Sequence, residues 1–403
     1  MVHLLLGIIY LAFISLGLPD AVLGSVWPTM YQEFNVPISY AGIISMIIAF
    51  GTIISSLQSD RLTRKLGAGL VTTISVALTA IALFGFSASH SFIFLCIWAI
   101  PYGLGAGSVD AALNNYVALH YESRHMSWLH CMWGVGASMG PYIMGYALTG
   151  GNNWNTGYTY LFGIQAALTF MLIITLPMWS KKKANASIEI ANASVSSSSS
   201  GSNTNCALTL REIISIRGAK QILLAFFCYC AIEQTTGLWA SSYLVLNRGV
   251  DSAQATSWAG LYFIGITIGR ALSGFLTMKF TNKQMIRGGF MMIGLGLFVI
   301  LLPLSHTYAL IGLIIVGLGC APIYPCIIHS TPANFGAENS QALTGVQMAS
   351  AYVGTLLMPP LFGLIANTLS INLYPIYLLA LLLLMAIMYE SMCRKLQDTS
   401  SIN

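Results

Sequence analysis

Twelve apolar stretches dominate the chain and leave few folds open to it. Their approximate limits are 4–30, 38–59, 67–88, 91–119, 126–149, 157–180, 219–246, 252–278, 284–304, 307–331, 340–367 and 373–393. A helix needs about 20 predominantly apolar residues to cross the hydrocarbon core, where no water can satisfy exposed backbone groups. Each stretch meets that length, so the expected fold class is an all-α membrane protein with twelve transmembrane helices. Composition agrees, since only 7% of the residues are charged against roughly 25% in soluble domains. The first stretch is too long for a cleaved signal peptide and is followed at once by another apolar run. A net charge of +5 does not mark a nucleic-acid partner, because the basic residues flank the spans instead of forming a patch. The eight cysteines show neither a disulfide framework nor metal-ligand spacing.

The spans fall into two groups of six. Residues 1–180 and 219–403 form the halves, and 181–218 lies between them. That middle segment opens on Lys181-Lys-Lys183 and continues through an Ala/Asn/Ser tract ending Ser196-Ser-Ser-Ser-Ser-Gly201. Such a tract cannot bury a core and is expected to be a disordered linker. Leu208 to Arg217 reads as a short interfacial helix. Basic residues decide orientation: Arg61, Arg64, Lys65, Lys181, Lys182, Lys183, Arg394 and Lys395 all fall on one side, whereas the other side has only Arg248. By the positive-inside rule both termini and the linker are expected to be cytoplasmic. Asn185 and Asn192 match the glycosylation pattern, but a cytoplasmic linker is not glycosylated.

The halves read as copies of one another. Asp20 and Gly24 match Glu233 and Gly237 at an offset of 213, and Gly103-Leu-Gly105 matches Gly317-Leu-Gly319 at 214. Gly136, Pro141 and Gly145 match Gly354, Pro359 and Gly363 at an offset of 218. Internal repeats of this size point to a secondary transporter with its site between the halves.

The loop after the second span reads Ser56-Leu-Gln-Ser-Asp60-Arg61-Leu-Thr-Arg64-Lys65-Leu-Gly67. It resembles the loop signature of the major facilitator superfamily, with Ser56 and Thr63 where glycines are usual. The resemblance covers the whole chain in span number, linker and loop placement. It implies the major facilitator fold, two pseudo-symmetric six-helix halves whose helices 1, 4, 7 and 10 line the cavity. An acid at a helix end beside basic groups can latch two helices together, so Asp60, Arg61, Arg64 and Lys65 are read as a conformational latch.

Ionisable residues inside spans are costly and mark functional sites by default. Asp20 sits beside Pro19 and glycines that loosen the first helix. In the fourth span, Asp110 and Asn114 are four apart and share a helical face. This stretch, the Asp20 helix and the segment around Arg270 resemble the fucose–galactose–glucose:proton symporter branch of the superfamily, with Asp110 in place of its usual Glu. Asp110, Asp20 and Glu233 are the expected proton-coupling residues. Amides, hydroxyls and aromatic faces suit sugar recognition, so Asn114, Asn115, Trp27, His130, Gln234, Trp239, Tyr324, His329 and Gln347 are the expected substrate-binding residues. Arg270 either neutralises an acid within the membrane or snorkels to its surface.

The expected function is therefore proton-coupled symport of a small polar solute, most simply a sugar, by a monomer in the cell membrane. The expected partners are the solute, H+ and the lipid bilayer, with no cofactor, metal or nucleic acid and no enzymatic activity. Two alternatives stay open. Gly136-x-x-x-Gly140-Pro141 resembles the glycine–proline motif of drug:proton antiporters, and a non-transporting nutrient sensor would share the fold. Sodium can replace the proton wherever carboxylates and backbone carbonyls line a site.

Overall fold

The computed structural model describes residues 2–120, 123–194, 210–303 and 305–400. The first half contains α1 (Val2–Asp20), α2 (Val22–Glu33), α3 (Tyr40–Leu66), α4 (Ala68–Ser87), α5 (Phe92–His120), α6 (Ser123–Thr149) and α7 (Trp154–Ser194). A short α8 (Leu210–Ser215) precedes the second half. That half contains α9 (Ala219–Arg248), α10 (Ser252–Leu276), α11 (Asn282–Leu301), α12 (His306–Cys320), α13 (Ile323–Phe335), α14 (Ala337–Thr368) and α15 (Tyr374–Ser400). Twelve crossings result, because α1 with α2 and α12 with α13 are single crossings broken in the middle. An even number brings both termini to the same end of the bundle. Among the described residues, ten helices are long and apolar enough to span a membrane, and α3 adds the shorter apolar stretch Tyr40–Ser56. The chain is an all-α, multi-pass membrane protein.

Two boundaries differ from the sequence reading. The first crossing is interrupted at Ala21, directly after Asp20. The helix of the sixth crossing runs past residue 180 to Ser194, because an Ala-rich stretch following an established helix extends it without a new nucleation cost. The serine tract itself lies outside the described residues.

The break in the first crossing has a chemical origin. Pro19 has no N–H, so the carbonyl of Ser15 four residues earlier loses its helical donor. Gln165 of α7 supplies one, its Nε2 donating to the Ser15 carbonyl at 2.9 Å, and Ser15 Oγ donates to Gln165 Oε1 in return. The weakened helix is thus held by a buried amide, and Asp20 sits at its end.

The repeat is visible in the packing. A Cβ at Gly103 would collide with the Ile48 backbone of α3, and one at Gly105 with Ser75 of α4. Their counterparts repeat this: Gly317 meets the Tyr262 backbone of α10, and Gly319 meets the Gly289 and Ile293 backbone of α11. Likewise Gly136 of α6 lies against Ile14 of α1, and Gly354 of α14 lies against Phe227 of α9. The matched glycines are matched helix contacts.

The halves meet through α2 with α9 and α10, α3 with α14, and α6 with α10. Gly24 abuts the backbone of Gly237 and Leu238, and Gly42 abuts Pro360. Ser241 Oγ and Thr256 Oγ1 both donate to the Ser25 carbonyl, at 2.7 and 2.9 Å. In the first crossing these contacts belong to α2, the part remote from the termini, whereas α1 packs on α6 and α7 of its own half. Asp20 lies just on the termini side of the seam. It is exposed although Leu18, Pro19, Ala21 and Val22 around it are buried.

Candidate functional site

The Asp20 carboxylate accepts two hydrogen bonds from neutral donors. Tyr102 of α5 donates its hydroxyl to Oδ1 at 2.8 Å, and Trp133 of α6 donates Nε1 to Oδ2 at 2.9 Å. These bonds tie the first, fourth and fifth crossings together at the helix break. Trp133 then carries the connection across to the other half, since the guanidinium of Arg270 from α10 lies 5.2 Å from its ring centroid. Phe263 closes on the same indole edge-on at 6.3 Å.

Arg270 in turn pairs with Glu233 of α9, NH2 to Oε1 at 3.3 Å, with only 14% and 10% of the two side chains exposed. Charges so far from water persist only when paired and hydrogen-bonded. Tyr262 further holds this turn of α9 by donating to the Glu233 carbonyl at 3.2 Å. A continuous polar chain therefore runs Tyr102–Asp20–Trp133–Arg270–Glu233 from one half to the other. Its two acids are the residues matched by the internal repeat. Cation and indole face are attracted electrostatically, the more so when desolvated.

Asp110 forms a second group on α5. Asn114 donates Nδ2 to Asp110 Oδ1 at 2.9 Å, as the four-residue spacing requires. Eight residues separate Asp110 from Tyr102, a helical rise of roughly 12 Å toward the termini-bearing end. The Oδ1 of Asn114 is buried without a hydrogen-bond partner, an acceptor placed beside the carboxylate.

The remaining expected site residues separate into those near this chain and those elsewhere. His130 lies one turn before Trp133 on α6, half-buried, with Phe13 edge-on at 5.8 Å. Gln234 is exposed and shares a face of α9 with Gly237, Leu238 and Ser241, which touch α2. Tyr324 is half-buried against Phe226 and Tyr229, and its hydroxyl meets Met348 Sδ at 3.3 Å. Trp27 is buried, donating to the Ile38 carbonyl at 2.7 Å, and Trp239 is buried, donating to the Pro359 carbonyl at 2.9 Å. Gln347 is buried and accepts from Thr331 at 3.1 Å, joining α13 to α14. His329 is exposed where α13 faces α11, paired with Asn282 at 3.0 Å. Lys65 is exposed at the end of α3. The side chains of Asn115, Asp60, Arg61 and Arg64 lie outside the described residues.

Tyr102 and Trp133 were not among the expected site residues, and Arg270 had no assigned partner. A single tyrosine or tryptophan in an apolar helix gives no periodic signal. The cation inside a span was the one cue the sequence offered, since such a charge requires a partner.

A twelve-crossing helical bundle whose two halves share one chain of ionisable groups within the spans is the architecture of a membrane transporter. The chain belongs to the Major Facilitator Superfamily, matching it over residues 9–243 and 222–393. It is 23% identical over 369 residues to the glucose/mannose transporter GlcP of Bacillus subtilis, covering 88% of this chain and 86% of that protein. It is 22% identical over 391 residues to bypass of stop codon protein 6 of Saccharomyces cerevisiae, covering 90% and 77%. Among solved structures, a D-xylose-proton symporter superposes with a TM-score of 0.71 at 14% identity, covering 94% of this chain and 96% of that one. A peptide transporter POT in complex with sulfate superposes with a TM-score of 0.73 at 15% identity, covering 97% and 94%.

Proposed function

We propose that this transporter carries a small polar solute, most simply a sugar, in symport with protons across the cell membrane. The observation that carries the reading is the chain from Asp20 through Trp133 and Arg270 to Glu233. It offers acceptors, donors and an indole within one site that belongs to both halves. A hydroxyl-rich solute can exchange hydrogen bonds with such a set, and Asn114 and Gln234 extend it along α5 and α9. The likeness to GlcP and to the D-xylose-proton symporter supports a sugar and a proton, as their names state.

Asp110 and Asp20 are the proposed proton carriers. A carboxylate sealed from water favours its neutral form, and one that meets water or a hydrogen-bond donor favours its ionised form. Alternation between the two surroundings loads a proton on one side and releases it on the other. Arg270 already compensates Glu233, which leaves Asp20, with neutral donors alone, and Asp110 as the groups whose charge can change. The termini and the latch of Asp60, Arg61, Arg64 and Lys65 are placed on the cytoplasmic side by the distribution of basic residues.

The test is solute uptake by proteoliposomes with and without an imposed pH gradient, screened across sugars. Asp110→Asn, a mimic of the protonated acid, should abolish accumulation driven by the gradient yet retain exchange of solute down its own gradient. Accumulation by that variant at the wild-type level would remove Asp110 from the coupling step. No proton movement with any sugar would overturn the symport reading.

A further inference from the structure

Helices α6 and α10 come from opposite halves and pack against each other, and small residues make the contact. A Cβ at Gly134 would strike the Thr267 hydroxyl, one at Gly145 the Ser257 hydroxyl, and one at Gly260 the Ser138 carbonyl. Positions 134, 138 and 145 share a face of α6 at helical spacing, and small residues there let the two backbones approach closely. The next turn of α10 toward the termini carries Arg270, and Trp133 adjoins Gly134. The inner end of this contact is therefore made by a guanidinium and an indole.

That indole has a charged partner in each half. Its Nε1 donates to Asp20 Oδ2 at 2.9 Å, and its ring centroid lies 5.2 Å from Arg270 Cζ. An anion at the N–H edge pushes electron density toward the ring and deepens its attraction for a cation, because linked polar contacts polarise one another. Neutralising Asp20 removes that push. Asp20 is otherwise faced by the Tyr102 hydroxyl and the charge of Asp110, both on α5 of its own half. Arg270 is faced by Glu233 and Tyr229 of α9 and by Tyr324 of α13, and its charge acts on His130 and Cys131 of α6. Among these side chains, Trp133 alone touches both Asp20 and Arg270.

The structure assigns Trp133 the role of a positioning residue that carries the charge of Asp20 to the contact between the halves. With Asp20 ionised, the indole grips Arg270 and holds α6 on α10; with Asp20 neutral, the grip weakens. The inference rests on the proposal that Asp20 changes charge during transport, and adds the residue through which that change reaches the other half. The contact is present in the conformation whose remote end is closed where Gly24 meets Gly237. Weakening a contact that one conformation makes lowers the population of that conformation. Loss of the Asp20 charge therefore favours opening of the remote seam.

The test uses neither solute nor proton gradient, so its outcome is independent of the symport reading. Ser241, buried in the remote seam, is replaced by cysteine in the full chain lacking reactive cysteines. Maleimide labelling is then measured in detergent at one pH, as a fraction of the rate for the chain denatured in SDS. Asp20→Asn, which removes the charge, should raise labelling roughly threefold or more, the scale of a modest cation–π contribution. In a Trp133→Phe background, which keeps an aromatic face without the N–H, Asp20→Asn should have little further effect. In a Tyr102→Phe background, which removes the other hydrogen bond to Asp20, the rise should persist. A tryptophan with a packing role alone would give additive effects in every background. A rise that survives Trp133→Phe would mean that the charge acts through space, and one lost equally in Tyr102→Phe would assign the effect to the hydrogen bonds of Asp20 in general. Either result, or no rise from Asp20→Asn in the parent, would overturn the proposal. Should Trp133→Phe fail to fold, Arg270→Lys takes its place, keeping a charge for Glu233 but not the planar group that stacks on an indole. The Asp20→Asn rise should again disappear, and its persistence would overturn the role of Trp133.

Discussion

Arg270 stands between an acid and an indole, and its removal exposes the energetics of the whole chain. Arg270→Met leaves Glu233 buried without its cation, which should destabilise the protein by about 3 to 5 kcal/mol. Adding Glu233→Gln removes the orphaned charge, so the double variant should recover much of that loss. Thermal unfolding in detergent of the two singles and the double measures the coupling, and strictly additive losses would mean that the pair contributes nothing jointly. Asp20 differs in kind, because its partners Tyr102 and Trp133 are neutral. An ionised group held by neutral donors can change charge without stranding a partner, whereas Glu233 cannot. This contrast distinguishes the two repeat-related acids, which the sequence alone presents as equivalent.

Helices α2 and α9 form one part of the seam between the halves, and that part is built from backbone contact. Gly24 meets the carbonyl of Gly237 and the backbone of Leu238 so closely that any Cβ would have to displace them. Ser241 and Thr256 then reach the Ser25 carbonyl. Gly24→Val should hold this seam apart and leave the end remote from the termini open. A cysteine placed at Ser241 in a background lacking reactive cysteines reports the change, because the side chain is buried in the closed seam. Its labelling by a membrane-impermeant maleimide should rise several-fold in the valine variant, with transport reduced. Labelling unchanged from the parent would show that the helices accommodate the side chain and that the glycine contact does not govern closure.

The two halves and the segment joining them follow different rules. Each half repeats one packing scheme, with α5 on α3 and α4 answered by α12 on α10 and α11. The sequence between α7 and α8 has no apolar periodicity. Deleting part of the serine tract, residues 196–200, should leave uptake by proteoliposomes within about twofold of the parent, because the closure entropy of a connection changes only slowly with its length. A well-expressed deletion that loses uptake entirely would assign the tract a working role.

Span number, helical class and the internal repeat were legible in the residues because they rest on properties that survive any arrangement of the helices. An apolar run of the right length must be a helix in hydrocarbon, and a glycine repeated at one offset marks a repeated close contact. The acids Asp20, Asp110 and Glu233 were legible for the same reason, since an ionisable group in a span is conspicuous whatever surrounds it. Asn114, one turn from Asp110, was legible too, but the partners of Asp20 and Glu233 were not. Tyr102, Trp133 and Arg270 are 82, 113 and 37 positions from the acids they meet, and nothing local to them records helix rotation or neighbour. Trp27, Trp239 and Gln347 show the converse. They read as site residues by type, yet the two indole N–H groups are taken up by the Ile38 and Pro359 carbonyls and the Gln347 amide oxygen by the Thr331 hydroxyl. Residue type and spacing limit what a side chain can do, but its neighbours in three dimensions choose among those uses, because a hydrogen bond depends on a few ångströms that only the packing of distant helices sets.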